Sequence, residues 1–525
     1  MKDLSLKLLL PYLELRLGRR VGFGDLEDIN NISYKVILME NIRFYPEEES
    51  KELTKPVLDF RRKLTELGDI FINDAFGCCH RAHSSIVGIN CPVKIPGYLV
   101  QKEVMYLKES FENGKKPILA IVGGSKVNDK IKLLENCDDL KNIGRPIGPL
   151  HGLPIAVKDI FGTDEMPTEC GTILRKKKYS KGDAFVINLL RSSGAYVMGK
   201  TVTTEFAYFD PGKTTNPHDE HRTPGGSSSG SAAAVASFMC PVAIGSQTNG
   251  SVIRPASYCG VIGYKPTYGL VSRNGVLKQS HLFDHVGIFA RHIEDIALVA
   301  KEIVRHDLND SSTVPYSISN IVDVCKEDPP FDPNFVFIKT SKWKNMEKEA
   351  VKSFDAFLKK FKNNIEVVDA PSYFDDIFKY HQIIHETDMA YAFSDYYKKS
   401  KNKLGKKLVE AIERGLKYKS SEYVEACENR DYFYKLFQET FQDYHAVLSP
   451  ASTGVAPKTL KQTGSPEFCT IWTYLGMPAL SLPLLEGESG LPLGVQIIGE
   501  KFDDTRLLRT SNWLINKVKG DRNDK

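Results

Sequence analysis

A serine attacks a carbonyl effectively only when a base can take its proton and backbone donors await the oxyanion that forms. Two loops of this chain offer such parts. Gly225-Gly-Ser-Ser-Ser-Gly-Ser231 and Asn249-Gly-Ser251 bracket a run of small residues, Ala232 to Ala236, and an apolar stretch that follows it. In the second loop Asn249, Gly250 and Ser251 offer successive backbone N–H groups in a tight turn beside the hydroxyl of Ser251, as acyl transfer requires. A flexible linker is also rich in glycine and serine, but it does not run straight into a close-packing helix start and an apolar strand. Helix capping accounts for some of the serines and not for the second glycine turn.

The residues alone leave the base open. His218, His221, His281 and His285 lie near the loops in sequence, so a Ser-His-Asp arrangement is one reading. Lys158 is the other, because it ends the apolar run Pro154-Ile-Ala-Val-Lys158. An interior lysine loses its hydration, its pKa falls, and its neutral amine accepts a proton. In isolation, such a lysine is more often the salt-bridge partner of an acid such as Asp159.

These residues belong to four motifs: Gly152-Leu-Pro-Ile-Ala-Val-Lys-Asp159, Gly225-Gly-Ser-Ser-Ser-Gly-Ser231, Thr248-Asn-Gly-Ser-Val-Ile-Arg-Pro-Ala256 and Gly263-Tyr-Lys-Pro-Thr267. In this order they resemble the amidase signature family over about residues 146–518. Asp443-Tyr-His-Ala-Val-Leu-Ser-Pro450, Tyr474-Leu-Gly-Met-Pro-Ala-Leu-Ser481 and Leu491-Pro-Leu-Gly-Val-Gln496 extend the likeness. The resemblance implies a mixed sheet covered by helices and a Ser-cisSer-Lys triad. Ser251 is then the nucleophile, Ser227 relays its proton to neutral Lys158, and the Gly226-Ser227 peptide is cis. Thr248, Asn249 and Gly250 supply the oxyanion hole, and water releases the acyl enzyme without cofactor or metal. The pocket is expected to include Phe206 and Tyr208. Where the family often has an acidic residue and a glycine, this chain has Gln247 and Asn249.

The first part of the chain resembles another family. Leu38-Met-Glu-Asn-Ile-Arg-Phe44, Asn73-Asp-Ala-Phe-Gly77, His80-Arg-Ala-His-Ser-Ser85 and Gly123-Gly-Ser-Lys-Val-Asn-Asp-Lys130 look like phosphoglycerate kinase. By that resemblance Arg43 and Arg81 would touch phosphoglycerate, and Lys126 and Lys130 would face transferred or nucleotide phosphates. The first strands and the nucleotide-binding half of that kinase have no counterpart here. Phosphoryl transfer depends on positioning both substrates, so this part is expected to be inactive, with ATP and Mg needed only if it were functional. A gene fusion or a misassembled gene, joined near residues 140–146, is the expected origin, with exposed apolar edges on both sides.

The elements that must position these residues follow from periodicity. Strands at 154–157 and 195–199 flank a helix at 185–193, which delivers Lys158 from a strand end. Further on, the pattern predicts a strand at 335–339, helices over 344–361, 372–398 and 404–444, strands at 446–449, 479–482 and 494–499, and a final helix. The polar stretch 306–333 reads as a surface excursion. In the first part, strands at 34–39, 69–73 and 117–122 alternate with helical segments at 47–67, 101–111 and 126–140, which predicts a parallel α/β layer. Residues 4–17 read as an amphipathic helix. The expected domains are 1–140, kinase-like, and 146–525, amidase-like without its leading helices.

Composition narrows the partners. The 525 residues are 42% hydrophobic and 26% charged, with a net charge of +4 spread along the chain. This is globular, with no case for nucleic acid or a membrane surface, and the basic run 175–178 reads as a solvated face. The ten cysteines show neither a disulfide framework nor paired zinc spacing. Cys78, Cys79 and His80 are adjacent and so rarely converge on one ion, and no metal is expected. No stretch approaches the roughly 20 apolar residues of a membrane span. The expectation is a cytoplasmic serine amidase acting on the carbon–nitrogen bond of a small, non-peptide carboxamide, with a homodimer allowed. One alternative is the A component of an amidotransferase, although Leu277-Lys-Gln-Ser-His281 does not resemble its substrate segment. The others are a kinase relic and an inert chimera.

Overall fold

The computed structural model describes residues 5–50, 52–74, 83–98, 100–101, 148–318 and 320–523. Arg81, Lys126 and Lys130, the Cys78-Cys79-His80 run, the segments expected at 117–122 and 126–140, and the joint at 140–146 all lie outside the described residues. The chain forms two compact units, Met1–Ala120 and Ile121–Lys525.

The first unit opens with helix α1 (Leu10–Leu17), none of whose residues is buried. Strands β1 (Gly22–Gly24) and β2 (Ile37–Met39) pair in parallel, as do β3 (Ile70–Asn73) and β4 (Val93–Pro96). Parallel pairing matches the expected layer, but the described strands form two separate two-stranded sheets. The helical segment expected over 47–67 is split into Pro46–Glu49 and α2 (Lys55–Thr65). Pro56 sits in the first turn of α2, where an N–H would have no partner within the helix, so it marks where the helix restarts. Leu26, Phe60, Leu64, Ile89 and Cys91 form a small core. Outside it, Leu8, Leu15, Ile70 and Ile72 are more than half exposed.

The second unit is organised by one ten-stranded mixed sheet. Its strands are β5 (Pro154–Lys158), β6 (Tyr196–Thr201), β7 (Val242–Gln247), β8 (Ile262–Lys265), β9 (His285–Ala290), β10 (Phe335–Lys339), β11 (Ile365–Asp369), β12 (Ala446–Pro450), β13 (Ala479–Glu486) and β14 (Pro492–Ile498). Their order is β11-β10-β12-β14-β13-β8-β9-β7-β5-β6. β5 runs parallel to both neighbours, β6 and β7, whereas β7, β9, β8, β13, β14 and β12 pair antiparallel in succession. A parallel strand covered on both faces needs a continuous apolar run. Ile155, Ala156 and Val157 supply it and are buried.

Two short helices lie next to the site. Helix α3 (Ser229–Ala236) is made of small residues, buried from Ser229 to Val235, and a Cβ on Gly230 would collide with the backbone of Val202. Only glycine permits that approach. Helix α4 (Ile253–Cys259) is buried throughout and ends at Gly260, whose φ of 68° is left-handed.

Most described residues of the stretch 306–333 are exposed, as a surface excursion requires, but the segment is pinned to the fold at several points. Asp310 accepts hydrogen bonds from Nε and Nη2 of the Arg273 guanidinium, and Asp307 accepts one from Ser272. The short helix Ile321–Lys326 buries Ile321 and Cys325, and Asn512 in the final helix donates to the Cys325 carbonyl. Composition showed the polarity of this segment but not its partners.

Candidate active site

β5 ends at Lys158, and the strand's apolar surroundings leave the side chain with no exposure. Its Nζ lies 2.7 Å from Ser227 Oγ, 3.0 Å from Ser228 Oγ and 2.8 Å from Ser246 Oγ. Burial drives its pKa well below the usual lysine value, only partly opposed by the carboxylate of Asp284. Asp159, the salt-bridge alternative, pairs instead with Lys200 at 3.4 Å. Ser228 and Ser246 were not singled out in the sequence. Ser246 is the next-to-last residue of β7, which lies beside β5.

Ser227 follows Gly226 through a cis peptide bond, at the turn into α3. Ser251 stands at the opposite turn, between β7 and α4, and its hydroxyl makes no hydrogen bond to Ser227 among the described residues. It borders a narrow pocket together with Thr248, Asn249, Gly250, Arg254, Ala207, Tyr208, Phe209, Gln279, His385 and Pro466.

The loop carrying Ser251 is held from several sides. Thr248 Oγ1 donates to Asp284 at 2.7 Å, and the same carboxylate accepts from the N–H groups of Gln279 and Ser280. Burial raises the pKa of Asp284, while these three donors and Arg273 oppose the rise. Gln247 Oε1 accepts from the N–H groups of Val252 and Ile253, at 2.8 and 3.0 Å, so it ties down the start of α4. A glutamine oxygen is enough for that task, where the family often has an acid. The Asn249 side chain accepts from Thr470 at 2.8 Å, and its carbonyl from Thr473.

Phe206, expected on the pocket wall, is fully buried, with its ring against Phe393 and Tyr396. Tyr208 does border the cavity, alongside Ala207 and Phe209. A positive φ of 46° at Phe206 turns its side chain into the core and its carbonyl toward Gln279, which donates to it. That reversal explains the correction, since sequence does not reveal it. None of the four candidate histidines borders the cavity. His285 is buried against Phe283, His218 meets the Cys259 carbonyl, and His221 and His281 are exposed. The histidines at the site are His385, and behind it His381, whose Nε2 lies 3.2 Å from the Thr248 carbonyl. Their four-residue spacing was the available signal. Arg43 in the first unit is half exposed and pairs with Glu49 at 3.5 Å. Among the described residues no cluster of His, Cys, Asp or Glu is placed to hold a metal ion.

Comparison with known proteins adds to this geometry. Residues 127–508 match the Amidase family and residues 2–142 match the Phosphoglycerate kinase family. The A component of the glutamyl-tRNA(Gln) amidotransferase of Trichormus variabilis is 32% identical over 410 residues, covering 70% of this chain and 84% of that protein. Its counterpart in Lachnospira eligens is 32% identical over 425 residues, covering 73% and 88%. Among solved structures, the peptide amidase of Stenotrophomonas maltophilia aligns with a TM-score of 0.63 at 25% identity, covering 74% of this chain and 88% of that one. A peptide amidase bound to the competitive inhibitor chymostatin aligns with a TM-score of 0.66 at 25% identity, covering 79% and 93%. Among the described residues, no helix is long and apolar enough to cross a membrane.

Proposed function

The chain belongs to the amidase family, and on that premise we propose that it is a serine amide hydrolase in which Ser251 is the nucleophile, Ser227 the proton relay and Lys158 the base. The observation that carries the reading is the environment of Lys158 Nζ: fully buried, with three hydroxyls around it and a pKa far below that of a solvated lysine.

A neutral amine has two N–H donors and one lone pair. Ser228 gives its own proton to the Ser246 carbonyl, so its oxygen accepts from Lys158. Ser246 Oγ takes the second N–H. The lone pair is then left for the Ser227 hydroxyl, the orientation a base needs. Ser227 passes its proton to Lys158 and takes one from Ser251 as the Ser251 oxygen bonds to the amide carbon. The oxyanion forms beside the N–H groups of the Thr248 to Gly250 turn. When the carbon–nitrogen bond breaks, the proton returns through Ser227 to the leaving nitrogen. Water, deprotonated by the same relay, then releases the acid.

The pocket that Ser251 borders is narrow, which supports a small, non-peptide carboxamide as substrate. We assign the protein to the cytoplasm and the kinase-like segment to an inactive remnant of a gene fusion. A second reading is favoured by the relatives' name: the same acyl transfer would be this chain's share of a multi-component amidotransferase. Ammonia release by the isolated chain, as monomer or homodimer, supports the hydrolase, whereas ammonia release that requires a partner supports the amidotransferase.

The deciding experiment is labelling with a fluorophosphonate, which reports an activated serine. Wild-type protein is expected to label and Ser251→Ala not to. Folded wild-type protein that does not label sinks the reading.

A further inference from the structure

One turn of helix Asp375–Ala392 carries His385 to the cavity wall, where it is 6% exposed and stands edge-on to Tyr208. Its protonation is dictated by a chain of partners. The Phe206 carbonyl can only accept, so the group that meets it at 3.0 Å is the Gln279 amide nitrogen. That leaves Gln279 Oε1 facing His385 Nε2, at 3.0 Å. An amide oxygen can only accept, so Nε2 carries the proton and donates. Burial, and secondarily the neighbouring His381, keep the ring neutral, so the other nitrogen, Nδ1, is a bare lone pair. No described residue donates to it.

The cavity also has a side. Ser227, which must return a proton to the leaving nitrogen, does not border it. The space that His385 shares with Ser251, Tyr208 and Phe209 is therefore the acyl side. Both polar ends of Gln279 already have partners. His385 Nδ1 has no protein donor among the described residues and is not one of the buried unpartnered atoms, so it stays accessible to a donor on a ligand in the pocket that His385 lines.

We propose that His385 reads the acyl half of the substrate, its Nδ1 accepting a hydrogen bond from an N–H or O–H group on that half, so that the preferred substrates are small carboxamides bearing a hydroxyl or amino group. The inference rests on Ser251 as nucleophile and deepens that reading by naming the substrate class.

The test is protection of Ser251 against fluorophosphonate labelling by three small amides: propionamide, which lacks a donor on its acyl group, and lactamide and 3-hydroxypropionamide, which carry one. For wild-type protein at least one hydroxyamide is expected to protect at about tenfold lower concentration than propionamide, the worth of one hydrogen bond in such a setting. In His385→Phe an aromatic ring remains but the Nδ1 acceptor is gone, and the ratio is expected to fall toward one. Because the ratio is taken within each protein, a general weakening of the site, including the lost partner of Gln279, cancels. Equal protection by all three amides, protection by none, or a ratio unchanged in His385→Phe overturns the inference while leaving the nucleophile intact. Failure of the unprotected protein to label overturns the nucleophile instead.

Discussion

Lys158 Nζ and Ser227 Oγ lie 2.7 Å apart although 69 residues separate them in the chain. The contact joins the end of a buried parallel strand to the turn before α3, in a setting where the amine has no access to water. A lysine placed there loses its hydration, which supports its proposed role as base, and the predictions follow from that.

Removing the amine should remove the base. Lys158→Met and Ser227→Ala are each expected to lower kcat/KM for amide hydrolysis by about 10²–10⁴, the usual worth of a positioned proton-transfer group. Lys158→Arg should not rescue it, because a guanidinium stays protonated. Ammonia release against amide concentration checks this, and activity in Lys158→Met within tenfold of wild type counts against the assignment.

The direction of the Lys158 shift sets the pH behaviour. Its folded pKa is depressed, so acidification through that value protonates the amine, and kcat/KM should fall on the acid side. Stability has a definite sign too. Between the depressed folded value and the ordinary lysine value the unfolded chain binds the extra proton, so stability rises with pH across that window and is flat with respect to this group below it. Urea unfolding across a pH series, compared with Lys158→Met, should show the variant lacking that rise.

Asp284 is the anchor of the nucleophile loop. Asp284→Ala leaves the Thr248 hydroxyl and the N–H groups of Gln279 and Ser280 without their acceptor. At about 1–3 kcal/mol per buried unsatisfied group, a loss of roughly 3 kcal/mol or more is expected in urea unfolding. Fluorophosphonate labelling should slow even under conditions where the variant stays folded.

Gln247 performs a neutral version of a capping task. Gln247→Ala deprives Val252 and Ile253 of their acceptor and should cost about 1–3 kcal/mol. Gln247→Glu keeps an acceptor but loses the donor to Thr473 and adds a buried charge. It should also be destabilised, and more so at neutral than at acid pH. Thermal unfolding of both variants at two pH values tests the distinction.

Phosphoryl transfer should be absent. The full chain supplied with ATP, Mg and 3-phosphoglycerate is expected to form no ADP above background. Measurable turnover would reopen the reading of the first unit.

Much of the site was legible because catalytic turns are locally written. Gly226, Ser227, Gly250 and Ser251 lie in short runs whose glycines permit the turns, and Lys158 ends an apolar strand recognisable from its residues alone. Phe206 was misplaced for the opposite reason. A left-handed backbone at that position sends the ring into the core, and nothing in the flanking types announces it. Asp284, Gln279 and His385 were missed because each acts through a partner far along the chain, Gln279 and His385 being 106 residues apart.

By itself the sequence determined which chemistry is available: a serine in a donor-rich turn, a second serine after a glycine, an interior lysine, and four motifs in family order. Only the tertiary structure favours lysine over histidine as the proposed base, since hydration is lost only where strands pack around a side chain. It decided as well which nitrogen of His385 carries its proton, because a hydrogen-bond chain assigns donors only once its ends are in place.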